Sequence, residues 1–350
     1  MTAPHGPGVL WVAEIVAVLH TFCVEVSRSG VRSAVVFNPA KLDDPDELRS
    51  VLGKALEKAG WPAPEWYETT VEDPGRGQSS AAVEAGAEVV FACGGDGTIM
   101  ACASGLVGTE AALAVLPSGT GNLLAANLGL SGDLAAGIAV AVEGGRRRLD
   151  LGLVKGRDEK RYFTVMAGMG FDAQMLDSTS ETTKARIGWL AYLFGGLKHL
   201  RDRPMRLSVR IDDRPPMRRR ARSVLIANVG RLQGGVRLFK EAEPDDGWLD
   251  IAILTPRTVG HWAALSWGVL RRRGRVPRME TYRGHTIQVT SNRPQPRQTD
   301  GDVIPAGRVL RVEVQPSAIW LCVPRPESSD DLAYDADAAA ERGERLVGSE

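Results

Sequence analysis

The chain has 350 residues, which is too long for one small domain and suits two. Hydrophobic residues make up 43% and charged residues 25%, as in ordinary globular proteins, and the formal net charge of zero gives no argument for a nucleic-acid partner. Four scattered cysteines without C-x-x-C spacing favour a reducing compartment over a disulfide framework, and the five histidines form no metal-like cluster.

The N-terminal apolar stretch Val9–Val26 is interrupted by Glu14, His20 and Glu25. A membrane-spanning helix needs about 20 residues almost free of charge, and a signal peptide needs a basic start and a small-residue cleavage site. Neither is predicted. We expect residues 1–30 to be an extension, either an amphipathic helix or translation from an upstream start codon, and the protein to be cytoplasmic.

Residues 31–148 predict an α/β domain with a parallel sheet, because buried apolar strands alternate with helical patterns. The predicted strands are Ser33–Phe37, Glu65–Thr70, Glu88–Cys93 and Leu113–Leu116. The predicted helices are Asp46–Ala59, Ser79–Ala87, Thr98–Leu106 and one that begins at about Asn122.

In residues 149–324 the hydrophobic pattern changes to short segments in which apolar and polar residues alternate with a period of two. This pattern predicts a largely antiparallel β domain with one solvent-exposed face. Helical stretches at Trp189–Leu200 and Val259–Leu270 interrupt it, and its last strand could return to the first domain. The acidic segment 325–350 predicts a disordered tail. The predicted strands are Leu207–Ile211, Val224–Asn228, Leu249–Leu254, Thr286–Thr290 and Leu310–Val314.

The strongest chemical signal is the loop Gly94–Thr98, which follows a buried strand and opens a helix. Glycines let the backbone turn sharply and approach a phosphate, and a helix N-terminus offers N–H groups to an anion. Asp96 could hold a magnesium ion or its water. The structural alternative is a tight strand-to-helix turn without a ligand.

A second glycine loop, Pro117–Asn122, stands in the same position after the next strand. Two such loops at the carboxyl ends of neighbouring parallel strands define a crevice, the usual ligand site of an open α/β sheet. Thr120 could donate to a phosphate, while Asn122 is equally explained as a helix cap. Neither loop is a Walker A or G-x-G-x-x-G motif.

These motifs, in this order, resemble the catalytic-domain family of the diacylglycerol kinases, which also holds sphingosine and ceramide kinases and many bacterial lipid kinases. The resemblance runs from about Val35 to Val323. It implies an N-terminal three-layer α/β nucleotide-binding domain, a C-terminal β-sandwich, and an ATP-dependent lipid kinase site in the cleft between them. The elements that carry it are Asn38-Pro39, Gly94–Thr98, Pro117–Asn122, Asp150–Gly152, Gly170–Ala173, Asp245–Asp250 and Asp300–Asp302.

The resemblance implies ATP and Mg²⁺ as cofactors and a set of nucleotide contacts. Thr69 stays open as the alternative to Thr70 in that set. The implied ATP-binding residues are Asn38, Thr70, Gly94, Gly95, Asp96, Gly97, Thr98, Ile99, Met100, Gly119, Thr120 and Asn122.

Three carboxylates carry the catalytic roles that the resemblance implies. Asp302 stands where the family has its proposed general base, normally a glutamate, and Asp300 is expected to support the turn. Asp96 and Asp150 would form an acidic network to the catalytic magnesium. The alternative for Asp150 is a surface carboxylate at a strand end.

The loop Glu243–Trp248 resembles a structural metal site. The side chain of Asp246 and the main-chain carbonyls of Glu243 and Trp248 would bind a hard cation, while the alternative is a simple Pro-Asp-Asp-Gly turn. The chain departs from the family at Lys240, where proline is usual. It departs again at Met100-Ala101 and Leu123, which lack the usual polar groups, and we interpret these changes as drift within the family.

The expected partners are a lipid substrate and an anionic membrane surface, bound peripherally. One candidate surface is Val259–Arg278, where tryptophans run into arginines, and the alternative is an ordinary helix with a solvated basic end. The basic run Arg218–Arg222 is expected to be a solvated loop or hairpin. Edge strands of the β domain could pair, so a homodimer stays open.

Two other functions compete with the lipid kinase. An NAD-kinase-like enzyme shares the Gly94–Thr98 loop and the two-domain plan, but the second loop and Asp300–Asp302 favour the lipid kinase. The other is a non-catalytic nucleotide- or lipid-binding protein, which a phosphate-transfer assay would separate from both kinases. The sequence leaves the acceptor lipid undetermined.

Overall fold

The computed structural model describes residues 30–42, 44–117, 124–125, 134–156, 160–170, 204–232, 236–239, 242–256, 258–270 and 276–324. The predictions for residues 1–29, Trp189–Leu200, Lys240 and the tail 325–350 lie outside these residues, as does most of the loop Pro117–Asn122. Among the described helices, none has the length and apolarity needed to cross a bilayer.

The first half of the chain forms a parallel sheet with helices. The pairing order is β4-β3-β1-β2, with all three pairs parallel. The strands are β1 (Ser33–Phe37), β2 (Glu65–Glu68), β3 (Val89–Gly94) and β4 (Ala112–Pro117). The helices are α1 (Pro45–Lys58), α2 (Arg76–Glu84), α3 (Asp96–Gly105) and α4 (Leu134–Glu143).

Burial explains why these elements form. The strands β1 and β3 are buried at every position, as expected of a parallel sheet covered on both faces. Asp44 caps α1 by accepting hydrogen bonds from the backbone N–H groups of Asp46 and Glu47, with Pro45 in the first turn. The same helix buries Leu48, Leu52, Ala55 and Leu56 in the core.

The second half is predominantly antiparallel β structure. Along the main path the strands follow the order β14-β13-β10-β7-β15-β16, with β8-β9 branching from β15 and β5-β6 branching from β16. The strands are β5 (Gly145–Lys155), β6 (Lys160–Phe163), β7 (Met166–Gly170), β8 (Met205–Ile211), β9 (Met217–Ala221), β10 (Ser223–Ala227), β11 (Arg231–Leu232), β12 (Val236–Arg237), β13 (Leu249–Leu254), β14 (Met279–Gly284), β15 (Thr286–Thr299) and β16 (Asp302–Val323). One helix, α5 (Val259–Leu270), lies between β13 and β14.

The last strand joins the two halves. Its first part, Asp302–Glu313, pairs antiparallel with β15, and its second part, Val312–Val323, pairs antiparallel with β5. Near its end, Trp320 and Leu321 pair parallel with Ala112 and Leu113 of β4. The β half and the parallel sheet are therefore continuous through β16.

The predicted order, an α/β part followed by a β part, is confirmed. Four details differ. Helix α2 spans Arg76–Glu84, three residues earlier at each end than the predicted Ser79–Ala87. Helix α3 begins at Asp96, two residues earlier than predicted, so Gly97 lies in its first turn. The strands β15 and β16 run far beyond the predicted segments. The prediction of one wet face is wrong for β13, which is buried at every position because α5 covers its second face with Trp262 and Leu265.

Candidate active site

The carboxyl ends of the four parallel strands meet at one edge. The backbone N–H of Asn38, just after β1, donates to the carbonyl of Cys93 in β3 at 3.0 Å. The N–H of Thr69, just after β2, donates to the last carbonyl of β1 at 3.0 Å. Gly94 of β3 is paired with Pro117 of β4, where the second glycine loop begins. The described starts of the predicted nucleotide loops are therefore neighbours.

The glycines of the first loop differ in what the fold requires of them. A Cβ at Gly94 would lie 2.7 Å from the Cβ of Thr98, so this position must be glycine. Among the described residues, a Cβ at Gly95 or Gly97 would meet no atom within 4 Å, and neither residue has a positive φ. Alanine is favoured over glycine inside a helix by about 1 kcal/mol. Gly95 is the N-cap of α3, where glycine is favoured over alanine, so the described fold explains it. The described fold does not explain Gly97, and no described residue fills the space above the first turn of α3.

The remaining residues of this loop contribute in different ways. Asp96 is partly buried in the first turn of α3, where the helix dipole favours a carboxylate. The side chains of Thr98 and Ile99 are 4% and 1% exposed and belong to the interior. Met100 is partly buried against the same core. Thr98 and Ile99 could thus meet a ligand only through their backbone.

Asn38 and Thr70 use their side chains in local turns. The Asn38 Oδ1 accepts a hydrogen bond from the N–H of Ala40 at 3.0 Å, which caps a short 3-10 turn. The Thr70 Oγ1 accepts from the N–H of Asp73 at 3.0 Å and is exposed, whereas Thr69 is buried. Both threonines lie at the site edge, so the choice between them stays open. Gly119, Thr120 and Asn122 lie outside the described residues.

Asp150 is buried beneath the acidic loop 243–248. Its carboxylate accepts hydrogen bonds from the N–H groups of Gly247 at 2.6 Å and Ser317 at 2.7 Å, and its own N–H donates to the carbonyl of Pro244. Burial raises the pKa of Asp150, and the nearby Asp246 adds to the increase. Because the residue is 2% exposed, the alternative of a surface carboxylate is wrong. Its magnesium role stays a prediction.

Arginines neutralise the acidic loop. Arg147 forms an ion pair with Asp245. Arg283 forms an ion pair with Asp246 and lies 3.4 Å from the carboxylate of Asp250. Arg283 also lies over the ring of Trp248, with 5.7 Å between the guanidinium carbon and the ring centroid. The carboxylates of the loop are therefore compensated by the protein itself.

The loop fits a resident cation poorly. The second oxygen of Asp246 accepts from the N–H of Trp248 at 2.9 Å, so both carboxylate oxygens have donors. In the described part of the chain, no three histidine, cysteine, aspartate or glutamate side chains converge as a metal cluster. The carbonyls of Glu243 and Trp248 would have to supply further ligands while the cation competed with Arg283. The predicted metal residues stay a prediction, and no chemical step is derived from them.

A tight hairpin presents Asp302. Asp300 and Gly301 connect β15 to β16 with φ values of 46° and 93°, the two positive values that a type I′ turn requires. Asp302 follows in register with Thr299 and is exposed, and no side-chain partner contacts its carboxylate in the described residues. Asp302 is therefore free to face a ligand.

Asp300 anchors this hairpin to the turn between β6 and β7. Its carboxylate accepts hydrogen bonds from the N–H groups of Thr164 (2.7 Å), Val165 (2.9 Å) and Met166 (2.8 Å) and from the Thr164 hydroxyl (3.0 Å). Burial raises the pKa of Asp300, and the four donors oppose that increase. The structure thus shows Asp300 supporting the turn, as the sequence indicated.

Sequence reasoning missed Asn228. Its amide nitrogen donates to the carbonyls of Asp150 at 2.9 Å and Thr164 at 3.1 Å, and its backbone N–H donates to the carbonyl of Val165. It therefore ties the strand of Asp150 to the turn that Asp300 holds. The available signal was an asparagine closing a buried apolar strand, because a buried amide needs hydrogen-bond partners.

The nucleotide-loop edge of the parallel sheet and the hairpin of Asp300 and Asp302 approach each other where α3 contacts β6. These elements are in contact, and Tyr162 of β6 packs against the same core as Met100 of α3. Strand β6 leads directly into the turn at Thr164 that Asp300 binds. An open helix N-terminus and an exposed carboxylate therefore flank one junction between the two halves.

Comparison with known proteins gives two family matches. Residues 32–154 match the family described as "Diacylglycerol kinase catalytic domain". Residues 165–323 match the family described as "YegS C-terminal NAD kinase beta sandwich-like domain". The predicted pairing of an α/β nucleotide-binding domain with a β-sandwich is confirmed.

Individual proteins agree with these matches. A Pseudomonas aeruginosa protein named "Probable lipid kinase YegS-like" is 33% identical over 254 residues, which cover 69% of this chain and 79% of that protein. A Pseudomonas putida protein of the same name is 30% identical over 287 residues, covering 80% and 91%. A crystal structure of a Bacillus anthracis diacylglycerol kinase superposes with a TM-score of 0.65 at 18% identity, covering 83% of this chain and 96% of the other. That likeness concerns the fold.

Proposed function

This chain belongs to the diacylglycerol kinase catalytic-domain family of lipid kinases, and from that premise we propose that it transfers the γ-phosphate of ATP to the hydroxyl of diacylglycerol or a related lipid. The observation that carries the proposal is the open first turn of α3. Gly95 and Gly97 have room for a side chain that the chain does not use. A nucleotide phosphate approaching the backbone there explains why position 97 is glycine, and it adds to the N-cap preference for glycine at position 95.

The first turn would bind the phosphates through its backbone. N–H groups at the start of α3 and the positive end of the helix dipole suit an anion, and residues Gly94–Met100 supply them. Asn38, Thr70 and the second loop with Gly119, Thr120 and Asn122 would complete the nucleotide site. ATP would arrive as its magnesium complex, with Asp96 directed at the ion or its water.

Asp302 would orient the lipid hydroxyl and accept its proton. An alcohol is far too weak an acid for a carboxylate to ionise beforehand, so the proton moves late, as the phosphoryl group arrives. Aspartate is one methylene shorter than the family's glutamate, so the hydroxyl has to come closer to the backbone. The anchoring of its hairpin by Asp300 supplies the rigidity that such positioning needs.

Labelled-phosphate transfer tests the proposal. The protein is incubated with labelled ATP and Mg²⁺ and a panel of lipids in mixed micelles, with NAD as the soluble acceptor. We expect label in a lipid, and a loss of at least about 100-fold for Asp302→Asn if the carboxylate takes the proton. Binding of ATP to Asp302→Asn is expected to remain, because no contact joins Asp302 to the described part of the nucleotide loops.

Two results would contradict the proposal. Label in NAD alone would point to an NAD-kinase-like enzyme on the same fold. ATP binding without transfer to any acceptor would point to a nucleotide-binding protein. A lipid acceptor also requires access to a membrane, and we place the protein in the cytoplasm with peripheral membrane contact.

A further inference from the structure

One face of the β half carries an unusual concentration of positive charge. Strand β8 alternates between buried apolar residues and outward polar ones. Its outward arginines, Arg206 and Arg210, are exposed, and so are Arg218 and Arg220 of the neighbouring β9. We call the outward side of β8, β9 and the adjoining parts of β15 and β16 the basic face.

The strand register places these side chains on one side of the sheet. Arg206 lies directly opposite Arg220, and Ser208 lies opposite Arg218. Arg210 lies opposite Gln288 of β15, which in turn lies opposite Arg311 of β16. Directly opposed residues point the same way with Cβ atoms about 5 Å apart, so the arginines form a continuous array across four strands.

The array is not neutralised by the described protein. The side chains of Arg206, Arg210, Arg218 and Arg220 have no carboxylate partner in the described ranges. At one border, Glu313 is already paired with Lys155 at 2.5 Å.

The second carboxylate at the edge of the basic face, that of Asp212, also has hydrogen-bond partners in the protein. Asp212 accepts hydrogen bonds from the backbone N–H groups of His285 and Thr286 at 2.8 Å. A shallow depression of about 190 Å³ lies between these border groups, Arg210 and Arg311. Positive charge thus dominates the face of a chain whose formal net charge is zero.

The alternation of side chains along β9 divides the basic run Arg218–Arg222. Arg219 points to the other side, where it forms an ion pair with Glu280 at 2.8 Å. Arg222 is buried and donates to the carbonyl of Pro256 at 3.0 Å. The predicted hairpin is present as β8-β9. The expectation that the whole run is solvated is wrong, because alternate residues of a strand face opposite sides. Arg218 and Arg220 remain on the basic face.

The membrane surface predicted at Val259–Arg278 is partly buried, because its helix packs into the core. In helix α5, Trp262 is 5% exposed and Leu265 is 2% exposed, and both pack in the core against β10 and β13. Trp267 is the exposed tryptophan of this helix at 49%. The arginines at 271–273 and 275 lie outside the described residues.

We propose that the basic face docks this protein on an anionic phospholipid bilayer. Like charges directly opposed across strands destabilise a sheet, so Arg206 facing Arg220 is a cost that binding of an anionic partner offsets. An array of arginines whose intervening outward residues are polar suits a charged surface. The outward residues between the arginines, Ser208, Gln288 and Thr290, offer no aromatic ring for stacking bases, which disfavours single-stranded nucleic acid.

The inference rests on the proposed function, because the lipid acceptor is what identifies the anionic partner as a membrane. It adds the place of attachment. Each basic side chain near an anionic surface strengthens binding by about fivefold, and the effect is screened within about 8 Å at physiological salt.

Vesicle sedimentation tests it without any need for catalysis. The full chain is mixed with vesicles of phosphatidylcholine containing phosphatidylglycerol, and with vesicles of phosphatidylcholine alone. We compare Arg206→Gln/Arg220→Gln with the control Lys54→Gln/Lys58→Gln, which removes the same charge from exposed positions on α1. The first variant is expected to bind the anionic vesicles about 25-fold more weakly than wild type, and the control to bind them like wild type.

Two further measurements on the same variant separate effects on folding and catalysis from the effect on docking. The melting temperature of Arg206→Gln/Arg220→Gln should not fall, since the change relieves a like-charge pair. Its phosphate transfer to acceptors in uncharged micelles should match wild type. Vesicle binding that depends on these arginines supports docking even if no lipid is phosphorylated, and in that case the kinase proposal alone fails.

Three results would overturn the docking proposal. The first is equal binding of wild type and Arg206→Gln/Arg220→Gln to anionic vesicles. The second is binding that does not depend on phosphatidylglycerol or on salt. The third is no binding to any vesicle together with tight binding to RNA, which would assign the face to a nucleic-acid partner.

Discussion

At the scale of single residues, two buried carboxylates organise the junction between the halves. The carboxylate oxygens of Asp150 and Asp300 accept hydrogen bonds from backbone N–H groups of neighbouring segments of the chain. A buried carboxylate with several such donors fixes the relative position of the segments it joins. These residues therefore act on the candidate site through the segments they hold, while the carboxylate of Asp302 is exposed.

Asp300→Asn is expected to destabilise the protein by about 2–4 kcal/mol, although it removes a buried charge. The carboxylate accepts from three N–H groups and one hydroxyl, and an amide would turn its own N–H₂ towards some of them. Urea denaturation measures the change. Asp302→Asn serves as the control and should stay within about 0.5 kcal/mol of wild type because Asp302 is exposed.

Asp150 predicts a pH dependence of stability. Burial raises its pKa, so the folded protein holds the proton more tightly than the unfolded chain does. The stability from this proton is fully present below the unfolded pKa of about 3.9 and is lost as the pH rises through the folded pKa.

The free energy of unfolding of wild type, relative to Asp150→Asn, should therefore fall as the pH rises from about 4 through the raised folded pKa. Urea denaturation of both proteins across this range measures it. A difference that rises with pH would mean that the hydrogen bonds from Gly247 and Ser317 outweigh burial.

At the scale of elements, the start of α3 carries a glycine, Gly97, that lowers the stability of the helix and lies at an open surface. Gly97→Ala should raise the melting temperature, because alanine favours the helix by about 1 kcal/mol and the Cβ meets no atom within 4 Å. The same change should weaken ATP binding by at least about tenfold, since the methyl group would fill the space for a phosphate.

Gly53→Ala in α1 is the matched control. Gly53 is also a helical glycine whose Cβ would meet nothing within 4 Å, and it lies away from the strand ends. It should gain similar stability with unchanged ATP affinity. Calorimetry of unfolding and of ATP binding gives both quantities, and unchanged ATP affinity in Gly97→Ala would remove the central support for the nucleotide site.

The acidic loop is the second element whose behaviour can be predicted. Arg283→Met should cost about 2–3 kcal/mol of stability, because it leaves Asp246 and the buried Asp250 without their guanidinium. Magnesium should then raise the melting temperature of the variant more than that of wild type. Arg308→Met, at an exposed residue, is the control. A wild-type protein that loses stability on chelation would show a resident cation despite Arg283.

At the scale of the whole molecule, β16 makes the two halves one hydrogen-bonded structure. It pairs with β15, β5 and β4, and Ile319 and Leu321 of this strand are fully buried in the core of the parallel sheet. Neither half can open fully without exposing part of this strand. The site at the junction is therefore held by the same strand that begins at Asp302.

We expect the two halves to unfold together. Scanning calorimetry should show one transition, and Ile319→Ala should lower it by a stability cost of about 2–5 kcal/mol, because it leaves a cavity beside β4 and β5. Hydrogen exchange should show peptides from β1 and β13 losing protection at the same free energy. Two resolved transitions would mean that the halves are independent.

The sequence by itself determined the order of elements and the residues that bear chemistry. Periodicity and turn residues located β1, β13 and α5 to within a residue, because local propensity and burial agree there. The glycine loops stood out because each follows a buried strand and opens a helix, whereas Asp150, Asp246 and Asp302 were identified through the family resemblance. The family resemblance gave them an order.

Tertiary structure decided which of these groups are free. Asp246 is paired with Arg283, a residue 37 positions away, and Asp150 with the N–H of Ser317, 167 positions away, so neither partner could be found by local spacing. The basic run at Arg218–Arg222 was split by the strand period, and β13 lost its wet face to α5. Each outcome depends on contacts between segments distant in sequence, which only the folded chain brings together.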